Sequence, residues 1–293
     1  MSAAVAAAIA ALARPAGASC RTTTCEACAR DPATGCLLGG IPIVWPERCV
    51  GYGLQPDVPP ALGYEAVRAA VEASFATWQN VICPTTGEPP SISLSDAFGP
   101  VGCPRHEYNQ DQPNANVVVF RTESLSESTE PDTLALTTVT YGTETGHILD
   151  VDMEIDGTRP LSVGSSTVGG HGYDLQWIVT HEVGHFLGLD HSAIRTSTMH
   201  GSYPLDPLDL RHLAADDIAG ICAIYPPDRS TPACDFRPHG GFSAECALDP
   251  VAGGRCSAAP GREAARSGAA GTMGCLLAGA IGRRRGRRRQ KTA

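Results

Sequence analysis

The sequence predicts an α+β fold in which a β-sheet of about five strands packs with three α-helices. Apolar residues recur every three or four positions through residues 63–80, which is the period of an amphipathic helix. Residues 134–141 alternate β-branched and small residues, and residues 146–155 alternate apolar residues with acids. These two patterns favour an edge strand and its neighbour. Two more helices are expected near Asp174 and Asp216, whose carboxylates suit a helix N-terminus.

The rest of the chain supplies shorter strands and loops. At 293 residues, 42% of them hydrophobic, the chain is long enough for one domain with a real core plus extensions. A loop at residues 96–113, rich in Gly, Pro and Asn, carries His106, which we interpret as an exposed loop histidine. The remaining predicted strands are a first strand formed by residues 41–45 and 49–55, and two strands at residues 91–94 and 116–120.

The charge of the chain is unevenly distributed. The net charge is −9, although seven of the 22 Lys and Arg residues lie in the last eleven positions. The remainder of the chain is therefore strongly acidic. An acidic body repels the phosphate backbone, so we expect no nucleic acid partner.

The N-terminal residues predict export. An apolar run at residues 3–13, followed by Ala16-Gly17-Ala18, is typical of a secretory signal peptide covering residues 1–18. No basic residue precedes the run, so an Ala-rich terminus is the alternative. Residues 19–40 form a Cys-rich segment, and the twelve cysteines of the chain favour disulfides made in an oxidising compartment. The CxxC spacing of Cys25 and Cys28 leaves a second zinc site or a redox pair as alternatives.

The most informative motif is HExxHxxGxxH. On a helix, His181 and His185 leave the same face, and Glu182 lies beside the first of them. Gly188 can end the helix in a left-handed turn, which returns His191 toward the other two histidines. Three neutral imidazoles leave one position of a tetrahedral zinc ion free for water. The alternative is a helix whose histidines face solvent or core, which does not explain the glycine and third histidine at this spacing.

This stretch resembles the zinc signature of the metzincin endopeptidases. Ser192, directly after the third histidine, is similar to the matrixin (matrix metalloproteinase-type) branch. Met199 follows His191 by eight residues and resembles the methionine of the matrixin Met-turn, with Tyr203 four residues later. Residues 216–225 resemble the last matrixin helix, in which the second of two leading acids braces the Met-turn.

The resemblance implies a fold and roles for individual residues. It implies a metzincin catalytic domain at residues 41–227, with a twisted mixed sheet and a zinc cleft below the edge strand. Glu182 would be the general base beside one zinc ion on the three histidines. Met199 would form an apolar floor beneath the imidazoles, and Tyr203 and Pro204 would form one wall of the pocket for the side chain after the scissile bond.

An acidic run on the second predicted strand has two interpretations. Asp150, Asp152 and Glu154 stand at alternate positions, and hard carboxylates of this kind could hold calcium. Matrixins carry a calcium-binding acidic turn near this point, which supports that interpretation. The alternative is that the three acids form the solvated face of a strand.

The C-terminal part of the chain differs in composition from the predicted domain. Residues 228–260 are rich in Pro, Gly and Ser and predict a Cys-containing linker. Residues 261–293 combine a short apolar segment with an Arg block and resemble the sorting tails of exported myxobacterial proteins. Such a tail would associate transiently with a membrane and would place the protein outside a bacterial cell. A disordered basic tail is the alternative.

The sequence as a whole therefore predicts a secreted or cell-surface zinc endopeptidase. Its substrate would be a protein or peptide, its cofactors one catalytic zinc ion with calcium as a further candidate, and its state a monomer. One alternative is a catalytically silent adhesion or scaffold protein with the same fold, against which the intact Glu182 argues. The other alternative is a redox or structural module built on the cysteines.

Overall fold

The computed structural model describes residues 19–25, 27–96, 99–102, 106, 108–110, 114–122, 125, 132–164, 172–202, 211–230, 233–239, 241 and 289–292. The helices are α1 (Tyr64–Gln79), α2 (Leu175–Phe186) and α3 (Ala215–Ile224). The first strands are β1 (Cys49–Gly51), β2 (Gly53–Leu54), β3 (Ser93–Ser95), β4 (Val117–Arg121) and β5 (Ala135–Tyr141). They are followed by β6 (Ile148–Asp156), β7 (Leu161–Ser162), β8 (Tyr173–Asp174) and β9 (Arg289–Thr292).

The main sheet has five strands in the order β2-β4-β6-β5-β9. Strands β2, β4 and β6 are mutually parallel, whereas β5 runs antiparallel to both β6 and β9. Two small parallel pairs, β1 with β3 and β7 with β8, complete the strand set among the described residues. The predicted α+β architecture, with a mixed sheet and three helices, is confirmed.

Helix α1 supports α2 from behind. Its predicted apolar face is buried, and Trp78, one residue before the end of the helix, is fully enclosed. The Trp78 indole Nε1 donates a hydrogen bond of 2.7 Å to the carbonyl of Thr180 in α2. One turn earlier, the Ser74 hydroxyl donates to the carbonyl of Gln176 over 2.9 Å. Two polar contacts therefore fix α2 against α1 in addition to the apolar packing.

Helix α2 begins and ends where the sequence predicts. The Asp174 carboxylate caps its N-terminus by accepting a hydrogen bond of 3.1 Å from the Trp177 backbone. The helix ends at Phe186, and Gly188 adopts a left-handed φ of 92°. A Cβ atom at Gly188 would lie 2.7 Å from the Ile43 carbonyl oxygen, so the position needs glycine for space as well as conformation.

Four disulfides join the described cysteines, which confirms the disulfide interpretation for those eight residues. They are Cys20–Cys36, Cys25–Cys28, Cys49–Cys234 and Cys83–Cys222. The CxxC pair is thus a disulfide in this structure and not a zinc site. The other four cysteines, at positions 103, 246, 256 and 275, lie outside the described residues.

Two features of the sheet differ from the sequence predictions. The predicted strand at 49–55 is interrupted at Tyr52, so that β1 and β2 belong to different sheets. The predicted edge strand β5 carries a further strand, because β9 pairs with it from Thr137 opposite Thr292 to Thr140 opposite Arg289. An edge strand offers unpaired N–H and C=O groups to any extended segment, and here the chain's own C-terminal residues use them.

Several predicted segments lie outside the described residues. These are the signal peptide at 1–18, the part of the linker from 242 onward, and the tail apart from β9. None of the helices in the part of the chain that the structure describes is long and apolar enough to cross a membrane.

Candidate metal centre

Three histidines converge at the C-terminal half of α2. His181 and His185 project from successive turns of the helix, and the turn at Gly188 returns His191 to them. The ring centroids are 4.8–5.2 Å apart, and the Nε2 atoms of His181 and His191 are 3.2 Å apart. Among the described residues, this is the one group of three or more His, Cys, Asp or Glu side chains placed to hold a metal ion.

Backbone carbonyls orient two of the imidazoles. His181 Nδ1 donates to the Thr198 carbonyl over 2.7 Å, and His185 Nδ1 donates to the Leu189 carbonyl over 2.9 Å. Because a carbonyl only accepts, Nδ1 carries the proton in both rings, and each Nε2 keeps its lone pair. His185 Nε2 is buried without a hydrogen-bond partner in the described structure. A buried lone pair of this kind suits a metal ligand, and three imidazole donors suit zinc.

The surroundings keep these imidazoles neutral. Burial, and after it the neighbouring His191, lower the pKa of His181 to about 3. Burial and the two other rings place the pKa of His185 well below its ordinary value. Neutral imidazole is the form that binds a metal, so protons do not compete for these ligands near neutral pH.

Glu182 is buried between the histidines and the sheet. Its side chain is 4% exposed, and its Oε2 accepts a hydrogen bond from the Thr137 hydroxyl on β5. Burial raises the pKa of the Glu182 carboxyl to about 7, against the opposing effect of the Thr137 hydroxyl. A carboxylate with such a pKa can both take and return a proton near neutral pH.

Met199 lies directly beneath α2. It is 1% exposed, and its sulfur comes so close to Gly184 that a Cβ atom there would overlap it. Trp78 closes the same space from the other side, 3.0 Å from that Cβ position. Because Gly184 has no side chain, Met199 can pack directly against α2 between His181 and His185.

Asp217, fully buried in α3, holds the segment that carries Met199. Its Oδ1 accepts from the Ser197 hydroxyl and from the Met199 backbone N–H at 3.2 Å. Its Oδ2 accepts from the backbone N–H groups of Thr198 at 2.8 Å and of Ala214 at 2.9 Å. Since Thr198 also orients His181, this carboxylate supports the metal site through one intermediate residue.

Comparison with known proteins agrees with this geometry. A sequence profile of the family described as Matrixin matches residues 44–226, more than half of the chain. The chain belongs to the matrixin family. Human matrix metalloproteinase-16 is 26% identical over 189 residues, which cover 64% of this chain and 28% of that protein. Rat matrilysin is 43% identical over 54 residues, and rabbit macrophage metalloelastase is 44% identical over 54 residues.

These shorter matches cover little of each protein. They span 18% of this matrixin, 20% of matrilysin and 12% of the metalloelastase. The matrixin thus spans less than a third of the length of the relatives it matches. The family membership supports a zinc metalloprotease, to which the three histidines conform.

The acidic run on β6 is buried in this matrixin, so the solvated-face alternative is wrong. Asp150, Asp152 and Glu154 are each 2% exposed. The Asp152 carboxylate accepts from the backbone N–H of Val117 over 3.0 Å. Within the residues that the structure describes, these acids form no metal-holding group of three. Calcium on Asp150, Asp152 and Glu154 stays a prediction.

His106 is also placed differently from its prediction. Its side chain is 13% exposed, not a free loop histidine, and its Nδ1 lies 2.7 Å from a Glu154 oxygen. Arg121 approaches the other Glu154 oxygen at 3.4 Å. Two nitrogen-bearing side chains therefore lie against the Glu154 carboxylate. The predicted pocket residues Tyr203 and Pro204 lie outside the described residues.

Sequence reasoning missed the contact between Arg30, near the beginning of the described residues, and Asp190, in the turn that follows α2. Arg30 Nη1 lies 2.9 Å from Asp190 Oδ2, although the two residues are 160 positions apart. Asp190 directly precedes the third histidine, and this position is the sequence feature that could have indicated a role for Asp190 in the site. Thr137 was likewise missed, because no local pattern links a strand threonine to a helical glutamate.

Proposed function

We propose that this matrixin is a secreted, zinc-dependent endopeptidase that hydrolyses protein or peptide substrates with Glu182 as the general base. The observation that carries the proposal is the convergence of three imidazoles beside a buried glutamate. The oriented Nδ1–H groups leave Nε2 of His181 and His185 available for one ion, and His191 would be the third ligand.

Each residue would have a distinct task in the reaction. His181, His185 and His191 would hold the zinc ion, which would supply Lewis-acid activation of the attacking water and of the scissile carbonyl. Glu182 would take a proton from the attacking water and later deliver it to the leaving amine. The Thr137 hydroxyl would hold the Glu182 carboxylate in position between these two transfers. No serine or cysteine nucleophile is needed, so no acyl-enzyme forms.

The substrate would bind as an extended strand against β5, in place of β9, which pairs with that edge in this structure. Thr137 places β5 next to Glu182, so a peptide paired there has its backbone near the reacting groups. Met199 would serve as an apolar floor for the imidazoles. Tyr203 and Pro204 would line the pocket for the residue after the scissile bond.

Export is part of the proposal. Four disulfides among the described cysteines fit an oxidising compartment, and residues 1–18 would be the signal peptide that leads there. We further propose a monomeric bacterial protein, held transiently at the membrane by its C-terminal tail, with the catalytic domain at residues 41–227 and no nucleic acid partner.

The direct test uses the full chain, produced with its disulfides and loaded with zinc. Cleavage of a quenched-peptide library should be measured for the parent protein and for Glu182→Ala, with the exposed Glu144→Ala as a matched control. Loss of the general base should lower kcat/KM by at least about 10²-fold. Glu144→Ala should cleave as the parent does.

Two other results would each exclude the proposal. Equal cleavage by the parent and Glu182→Ala would indicate a contaminating protease. Stoichiometric zinc binding without cleavage of protein or peptide substrates, under conditions that remove any latency, would favour the adhesion or scaffold alternative.

A further inference from the structure

We infer that residues 19–40, which we term the N-terminal clamp, position two zinc ligands, with Thr22 and Arg30 as positioning residues. The clamp precedes the residues that match the matrixin profile. Its contacts fall on Gly188, Leu189 and Asp190, the turn between the second and third histidines. The inference rests on the proposed zinc site.

The first contact acts through His185. The Leu189 carbonyl accepts the His185 Nδ1–H at 2.9 Å and also the Thr22 hydroxyl at 3.0 Å. The Thr22 backbone N–H donates to the Gly188 carbonyl over 3.0 Å, and Thr22 itself is 1% exposed. Thr22 therefore fixes the carbonyl that sets the orientation of the His185 ring. Tightening this carbonyl limits rotation of the ring about its Cβ–Cγ bond.

The second contact acts through His191. Asp190 Oδ1 accepts the His191 backbone N–H at 2.8 Å, while Oδ2 accepts Arg30 Nη1 at 2.9 Å. The Asp190 backbone N–H donates to the Cys20 carbonyl over 2.9 Å. The Asp190 side chain is 6% exposed, and the Arg30 side chain is 51% exposed. A buried carboxylate with a partner on each oxygen is held in place, and the backbone of the third ligand is held with it.

The clamp is held in its own shape by covalent and hydrogen bonds. The disulfide Cys20–Cys36 closes the loop that contains Arg30. The Arg30 guanidinium also donates to the Gly35 carbonyl over 2.8 Å, within the same loop. The loop therefore presents Arg30 to Asp190 in a preset position, at little cost in side-chain entropy.

The clamp also forms hydrogen bonds with Ile43, which lies beside the turn at Gly188. The Ile43 backbone N–H donates to the Thr22 carbonyl, and the Arg21 guanidinium donates to the Ile43 carbonyl over 2.7 Å. Ile43 is the residue whose carbonyl excludes a side chain at Gly188. The zinc-binding turn is thus enclosed between the clamp and residues 41–45. The Thr198 carbonyl, which is not part of the clamp, orients His181. The clamp therefore positions His185 and His191 but not His181.

The test measures zinc affinity by chelator competition on the full chain, without substrate. The variants are Arg30→Ala and Thr22→Val, with Arg30→Lys and Thr22→Ser as conservative partners. The matched control is Arg68→Ala, because Arg68, in α1, is also partly exposed, at 40%, and pairs with a buried acid, Asp96. The thermal midpoint of the zinc-free protein is measured for each variant.

We expect Arg30→Ala and Thr22→Val to bind zinc about 10-fold to 100-fold more weakly than the parent. Arg30→Lys and Thr22→Ser should regain most of that loss, because they keep a charge or a hydroxyl. Arg68→Ala should leave zinc affinity unchanged, whatever its thermal midpoint. In zinc-saturated enzyme, the clamp variants should change kcat more than KM.

Parental zinc affinity in both Arg30→Ala and Thr22→Val would overturn the inference, as would an equal loss in Arg68→Ala. If Arg30→Ala does not fold, Thr22→Val decides the question, because it changes one hydroxyl to a methyl group. Zinc affinity is read without substrate, so a protein that binds zinc but cleaves nothing would refute the proposed function and still test the clamp.

Discussion

Replacing Asp217 with asparagine removes one charge and little volume beneath the metal site. The carboxamide offers one acceptor where the carboxylate offers two. It would turn its oxygen toward Thr198 and Ala214, whose backbone N–H groups can only donate. Its NH₂ group would then face the Ser197 hydroxyl, which can rotate to accept, and the Met199 N–H, which cannot.

The magnitude follows from these four contacts. Two backbone hydrogen bonds change from charge-assisted to neutral, at about 1 kcal/mol each. The Met199 N–H keeps the Ser197 hydroxyl oxygen as an acceptor at 3.0 Å, but it loses its charge-assisted bond to Asp217 and faces a donor instead, at about 1 kcal/mol more. Asp217→Asn should therefore lower the free energy of unfolding by about 3 kcal/mol. Because Thr198 would lose part of its anchor, zinc affinity should fall by about 10-fold.

The assay is urea unfolding of the zinc-free protein with disulfides intact, together with chelator competition for zinc. Asp216→Asn is the control, since Asp216 accepts a hydrogen bond from the Ser192 hydroxyl, which can rotate. Burial already raises the pKa of Asp216, so that loss of its charge costs less. Asp216→Asn should cost about 1 kcal/mol or less. Equal losses in the two variants would refute the reasoning.

Three further predictions concern the same region. Gly184→Ala should destabilise the protein by about 3 kcal/mol in urea unfolding, because its Cβ overlaps Met199; parental stability would contradict that packing. Chelation of zinc should lower the thermal midpoint by roughly 5–10 °C, and added zinc should restore it; no shift would argue against a zinc site. Removal of residues 289–293 should lower KM for peptides by several-fold with kcat unchanged, since β9 pairs with β5; an unchanged KM would contradict this competition.

The local features of this fold could be read from the sequence. The buried face of α1, the Asp174 cap and the Gly188 turn depend on residues within a few positions of one another. The convergence of the three histidines depends on the same short-range geometry. That is why the spacing of the motif was sufficient to predict that the histidines come together.

The features that were not predicted depend on residues distant in the chain. Strand alternation places Asp150, Asp152 and Glu154 on one face of β6, but it does not show whether that face is exposed to solvent. Arg121 and His106 contact Glu154, and no sequence pattern around either residue predicts these contacts. Arg30 and Asp190 likewise meet across 160 positions. The chain topology determines such contacts, and local periodicity in the sequence does not predict them.

The disulfide between Cys49 and Cys234 has a consequence for the survival of the molecule. It spans 185 positions, which include α1, α2 and α3 and the three histidines of the candidate metal centre. A single backbone cut within that span leaves both fragments covalently attached. A molecule exposed to proteases can thus be nicked in a surface loop without losing half of its core. Such nicked molecules would migrate as one band on a non-reducing gel and separate only after reduction.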